Sequence, residues 1–310
     1  MINDLADQMH QAVKRGDLRM IEKLAKGAPY PGVPRLLVMG LECVLDTHPF
    51  RRGDIQEDKA MAMVDLLLRD KQPLMAIHLA SAIELGWEEV LGQMLRHVGQ
   101  HQGVKQLAQL ICTPQSMAIA LDPMDNPSAL SLAVMRGRPG MLEALLRPIE
   151  RAGRSLVNQS LVHALVQTDD IYQDADRITC LDLLLNHGAQ INIHDERGYG
   201  PLHLVNTEAM ARALLDAGAD PRHTTIRGSR PMFELWKRRK EIKTEESLGI
   251  AQALVEAGAK WSDGPVMDVL KQQQQMGDHP LTEWLAKGMI RSALGDHVQR
   301  PTDPTPGRRF

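Results

Sequence analysis

Aromatic side chains are scarce in this chain: three Phe, three Tyr and four Trp, 3% of 310 residues. A compact enzyme core of this length usually carries more. Thin cores between paired helices are filled by Leu, Ala, Met and Val instead, and 17 Met supply adaptable gap-fillers. Cysteine is equally sparse. Cys43, Cys112 and Cys180 are far apart, odd in number and form no CxxC, which argues against a disulfide framework or a zinc knuckle. They read as small buried hydrophobes in a reducing compartment. Neither charge sign dominates: 36 basic and 39 acidic residues are interspersed for a net charge of −3, so no global pull toward nucleic acid or membrane is expected. No apolar run approaches the roughly 18 residues of a membrane span. The N-terminal MINDLADQMH carries Asp4 and Asp7 where a signal peptide would be apolar. The expected address is the cytoplasm, with delivery into a host cell as the alternative.

What the chain does have is helical pairing from end to end. AVKRGDLRMIEKLAKGA (12–28) places Asp17 at an N-cap and Gly27 just past a C-terminus. A helix over 33–45, a polar loop over 47–58 and a helix over 61–68 follow. Further pairs are 75–85 with 88–98, 128–135 with 141–149, 160–166 with 178–189, 201–205 with 208–219, 231–236 with 249–259, and 265–275 with 280–294. Helical spacing also runs through 104–127 before a Pro/Asp/Asn turn cluster. Polar insertions interrupt two pairs, at 167–176 and 237–247. The domains read as divergent helical repeats over 1–150, clearer repeats with a terminal cap over 151–294, and a disordered Pro-rich tail over 295–310.

A fixed period marks the clearest stretch. Residues 188–203 read GAQINIHDERGYGPLH, and 218–231 read GADPRHTTIRGSRP. Gly188 and Gly218, Gly198 and Gly228, and Pro201 and Pro231 are each thirty apart, the mark of a stacked-repeat protein. Gly188-Ala189, Asn192, Asp195, Gly198 and Pro201-Leu202-His203 resemble the ankyrin repeat. Gly218-Ala219-Asp220, Gly228 and Pro231 keep the register, with weaker echoes at Gly27-Ala28, Leu66–Leu68, Leu145-Leu146 and Gly258-Ala259. The physics agrees with the resemblance: the first glycine ends an outer helix in the left-handed region, 190–197 project as a finger, Gly198 turns back, and Pro201 opens the next inner helix. Where that family has Thr before Pro, this chain has Gly200 and Arg230, which predicts individually weaker repeats. Repeat lengths vary, an irregularity that resembles bacterial or phage ankyrin proteins. The resemblance implies an all-α ankyrin-repeat solenoid of about seven or eight stacked helix-turn-helix units with short β-hairpin-like fingers.

No GxxxxGK[ST], GxSxG, HExxH or GxGxxG is present. His97 and His101 share a helical spacing, but Gly99 lies between them and nothing completes a metal tetrad. His194, Asp195 and His203 fall on finger and packing positions. Asp122, Asp125 and Asn126 lack the Gly and bidentate Glu of a calcium loop. Lys237-Arg238-Arg239-Lys240 with Lys243 is the sharpest charge feature. Glu241, Glu245 and Glu246 follow it, so it reads as a solvated, self-paired helical extension. Gln272–Gln275 reads as an exposed helix face, and Trp87 and Trp236 as packing residues. No catalytic residue, cofactor or metal is expected.

The resemblance implies binding through a concave face of fingers and inner helices. Arg197, Tyr199, Arg222, His223, Arg227, Arg230 and Trp261 lie on fingers or their bases, and Arg, Tyr and Trp are the types that anchor interfaces. The expected function is a non-catalytic scaffold, monomeric on its own, whose partner is another protein and neither nucleic acid nor membrane. An inhibitor or immunity-type protein, or a secreted effector capturing a host protein, are versions of it. The competing class is an enzyme with a site in the N-terminal half.

Overall fold

The computed structural model describes residues 2–26, 57–68, 74–113, 128–153, 161–166, 174–260 and 279–298. The helix expected over 33–45, most of the 47–58 loop, the helix expected over 265–275 and the 299–310 tail lie outside them. The chain divides into two compact units, Met1–Gln190 and Ile191–Phe310.

The first unit opens with α1 (Ile2–Arg15) and α2 (Leu18–Lys26). Gly16 turns between them at φ 68°, and Asp17 Oδ1 accepts the Met20 amide at 3.0 Å, the expected N-cap. Next come α3 (Glu57–Leu68), α4 (Ala76–Leu85), α5 (Glu88–His101) and α6 (Val104–Cys112). The unit closes with α7 (Ala129–Met135), α8 (Pro139–Arg151), α9 (Leu161–Val166) and α10 (Asp174–Asn186). Like packs on like: α4, α7 and α9 stack in series, and so do α5, α8 and α10, with α6 lodged against α5, α7 and α8. The apolar positions explain the stacking. Leu79, Ile83, Leu91, Met94, Leu142 and Leu145 are fully buried, and each contributes about 1.5–3 kcal/mol that an isolated pair could not gain.

The second unit contains α11 (Pro201–Leu204), α12 (Glu208–Asp216), α13 (Pro231–Lys237), α14 (Thr244–Glu256) and α15 (Pro280–Val298). Here α11 packs on α13, α12 on α14, and α15 covers α14. Pro201 and Pro231 stand at the first helical turn, where a missing N–H costs nothing. Gly218 and Gly258 follow α12 and α14 at φ 89° and 100°, a conformation that excludes a β-carbon-bearing residue without strain.

One inner helix in each unit, α4 and α11, is opened by an imidazole, whereas α7 is opened by the Ser128 hydroxyl, which accepts the Ser131 amide at 3.1 Å. His78 Nδ1 accepts the Met75 amide at 3.1 Å, and His203 Nδ1 accepts the Gly200 amide at 3.1 Å. The Gly200 N–H therefore has a partner although the family's threonine is missing. His203 Nε2 carries the proton and donates to the Ser229 carbonyl at 3.3 Å. Both rings are 1% exposed. Burial lowers the pKa of His203 and pushes that of His78 down to about 4. The fold thus holds these rings neutral, whereas the unfolded chain protonates them below about pH 6.5. Stability should be full above that pH and should fall below it, by up to about 1.4 kcal/mol per pH unit for each ring and, for His78, down to about pH 4. Urea unfolding midpoints at about pH 7.5 and 5 should show the fall, and His78→Gln should reduce it. An identical fall in the variant would remove His78 from the account.

Candidate functional site

The fingers are built by side chains that bond their own backbone. In the first, Asp195 Oδ1 accepts the amides of Arg197 at 2.9 Å and Tyr199 at 2.8 Å, while the Asp195 amide donates to the Tyr199 carbonyl at 3.0 Å. In the second finger, thirty residues on, Thr225 takes that place. Its Oγ1 accepts the Ser229 amide at 3.0 Å, and its amide donates to the Ser229 carbonyl at 2.8 Å. At the base, Asp220 Oδ1 accepts the Arg222 amide at 2.8 Å. The loops are closed by turns, with no strand assigned to either finger.

Neighbouring fingers are bonded side by side. The Ile226 amide donates to the Arg197 carbonyl at 3.1 Å, and His223 Nε2 donates to the Gly198 carbonyl at 3.1 Å. Asn192 bridges the next repeat, donating to the Gly218 carbonyl at 3.1 Å and accepting the Asp220 amide at 2.9 Å. Gly198 sits at φ 80°, and a β-carbon there would lie 2.9 Å from the Ile226 nitrogen. Only glycine permits both the turn and this approach.

Of the residues proposed from sequence, Arg197, Arg222 and Arg227 are exposed, and Tyr199, His223 and Arg230 are half-buried. Trp261 lies outside the described residues. Arg197, Tyr199 and Arg227 come together, with Glu196 and Ile226, around an open depression of about 340 Å³ between the two finger tips. His223 instead faces inward, its ring 5.3 Å from His194 and 5.7 Å from His203. Tyr199 serves both sides: its hydroxyl donates to Glu234 Oε1 at 3.4 Å, yet it still lines the depression. Ile226 was not among the candidates. It is 78% exposed, and the signal for it was an isolated isoleucine within the polar run Thr224–Gly228.

The basic run 237–240 corrects an expectation. It is not a helical extension, because α13 ends at Lys237 and α14 begins at Thr244; Lys237 and Lys240 are exposed as a solvated run would be, but Arg238 and Arg239 between them turn inward. Arg238 donates to the carbonyls of His203 at 2.9 Å, Leu204 at 3.2 Å and Val205 at 3.1 Å, and to Asn206 Oδ1 at 2.7 Å. It caps the C-terminal end of α11. Arg239 is buried, lies 4.4 Å over the Trp236 ring and donates to the Trp236 carbonyl at 2.9 Å. Lys237 pairs with Glu234 at 3.0 Å. Glu246 accepts the Glu208 amide at 2.6 Å, capping the start of α12 rather than pairing along its own helix.

Asp195 and His203 are occupied by finger and capping bonds. His97 and His101 lie with ring centroids 4.6 Å apart, beside an open depression of about 390 Å³ that Asp65, Gln93 and Arg96 also line. Among the described residues no three His, Cys, Asp or Glu are grouped to hold a metal. Cys180 is buried, and burial together with Asp176 pushes its thiol up to about 12. Trp236 is a buried packing residue, as expected. Asp122, Asp125, Asn126 and Gln272–Gln275 lie outside the described residues. No described helix is long and apolar enough to cross a membrane.

Glycine-ended outer helices, proline-opened inner helices and paired fingers define the class: the chain carries ankyrin repeats. It is similar to ankyrin repeat and SOCS box protein 6 of Pongo abelii and of Homo sapiens, each 32% identical over 117 residues. Those matches cover 34% of this chain and 27% of each relative, so the chain spans about a quarter of the length of these curated relatives. The Mus musculus protein of the same name is 32% identical over 77 residues, 25% of this chain and 18% of that one. Among solved structures, the ankyrin repeat domain of Bcl-3 is similar with a TM-score of 0.44 and 19% identity, covering 82% of this chain and 87% of that one. No family model matches the chain.

The Arg238 cap yields a test. Arg238→Ala leaves several part-buried carbonyls without this donor and should lower stability by about 1–3 kcal/mol. Arg238→Lys should recover only part, because one ammonium cannot span the guanidinium's fan of acceptors. Urea unfolding of the three proteins measures both, and an unchanged midpoint in the alanine variant would contradict the cap.

Proposed function

We propose that the chain is a non-catalytic scaffold that binds a partner protein through its finger tips and the adjoining ends of its inner helices. One observation carries the reading: Ile226, 78% exposed, stands on a finger whose backbone is bonded to its neighbour. Covering an exposed isoleucine is favourable by about 1.5–3 kcal/mol. The tip is already ordered, so association need not supply the cost of fixing it. Arg197, Tyr199 and Arg227 around it are residue types that anchor interfaces. Arg222 and Arg230 extend the proposed surface along the same fingers, while His223 supports it from behind; Trp261, outside the described residues, is kept in the proposal on its sequence position alone. The names of the curated relatives, which join ankyrin repeats to a SOCS box, suit an interaction module. The protein acts as a monomer in the cytoplasm under this reading, with no cofactor. An inhibitor, an immunity protein and an effector delivered to a host would use the same surface, and the captured partner tells them apart.

A photo-crosslinking amino acid placed at Ile226, and separately at Gln252 on the exposed face of α14, tests the surface in the native cell. Discrete protein adducts from position 226 and none from 252 are expected. Adducts from 252 alone would overturn the finger-tip reading.

A further inference from the structure

The finger tips also show what kind of partner segment they fit, an inference that rests on the reading above. The acids nearest the tips are mostly spent on the fingers themselves. Asp195 turns its carboxylate onto two amides of its own loop, and Asp220 turns its carboxylate onto the Arg222 amide. Arg197 and Arg227, by contrast, are exposed, and neither has an ion-pair partner among the described residues. They line one depression together with Ile226, Tyr199 and a single acid, Glu196. The result is an apolar side chain flanked by two guanidinium groups, each able to take a carboxylate through two parallel hydrogen bonds. Glu196 makes the surface unfavourable for a continuous polyanion, because it would face a phosphate at every step. Carboxylates separated by an apolar residue avoid it.

We propose that the depression between the finger tips takes an acidic segment of the partner protein, with one apolar side chain packed on Ile226 and carboxylates meeting Arg197 and Arg227. Electrostatic complementarity of this kind selects the partner and its register more than it adds raw affinity.

Selection of a phage-displayed random dodecapeptide library on the full chain tests the chemistry. Enriched peptides should carry Asp or Glu on both sides of a Leu, Ile, Met or aromatic residue. Their binding should fall about tenfold or more with Ile226→Asp and with the double variant Arg197→Glu, Arg227→Glu. Circular dichroism and the melting temperature of each variant should match the wild type; if a variant is unfolded, Arg197→Gln with Arg227→Gln serves instead. Peptides that lose binding with Ile226→Asp but lack flanking acids would overturn the acidic chemistry and leave the finger-tip reading standing. Peptides indifferent to Ile226→Asp would overturn both. Failure to enrich any peptide, or tighter binding of a fluorescent oligothymidylate than of the acidic peptides, would likewise overturn the proposal.

Discussion

A helix leaves its first four N–H groups and last four carbonyls without partners inside itself, so a four-residue helix such as α11 satisfies almost nothing alone. Everything around Pro201–Leu204 answers that constraint. Proline removes one donor at the start, and His203 accepts the Gly200 amide in front of it. Arg238 gathers the carbonyls of His203, Leu204 and Val205 behind it. The first unit solves the same problem at the six-residue helix α9. Arg177, 1% exposed, donates to the Leu165 carbonyl at 2.9 Å and the Val166 carbonyl at 3.4 Å. In both places the capping arginine lies within or directly after a polar insertion. The insertions therefore serve the fold, each delivering a guanidinium to a helix end that would otherwise leave buried acceptors unpaired at about 1–3 kcal/mol apiece.

The same constraint makes the fingers rigid. Each finger spends its own polar side chains on its own amides and then lends backbone groups to its neighbour. His203 reaches from an inner helix to the Ser229 carbonyl of the following finger, and Ile226 and His223 bond the finger before. A surface held in this way presents Arg197, Tyr199, Ile226 and Arg227 in one fixed arrangement. That arrangement is what links a question of helix capping to a question of binding.

Much of the fold was legible because its signals are local backbone requirements. Gly188, Gly218 and Gly258 mark left-handed turns, Pro201 and Pro231 mark helix starts, and the thirty-residue spacing ties them into stacked units. Asp17 and Asp195 bond amides a few residues away, so short-range pattern finds them too. The run Lys237–Lys240 was misread for the opposite reason. The acceptors of Arg238 are carbonyls at the end of α11, more than thirty residues earlier, and backbone oxygens leave no trace in a composition. Ile226 was missed because an apolar residue in sequence says nothing of whether it faces a core or water. Tyr199 reads in the sequence as a partner-binding finger residue; it is half-buried, and its bond to Glu234 joins adjacent repeats, a contact thirty-five residues away that local pattern does not carry.

The central claim is that the finger tips are ordered before any partner arrives. Amide hydrogen exchange on the isolated full chain measures this directly. The account requires slowed exchange at the amides of Tyr199, Gly200, Ile226 and Ser229, each of which is bonded within or between fingers. Exchange at these four positions as fast as in an unstructured peptide would contradict it.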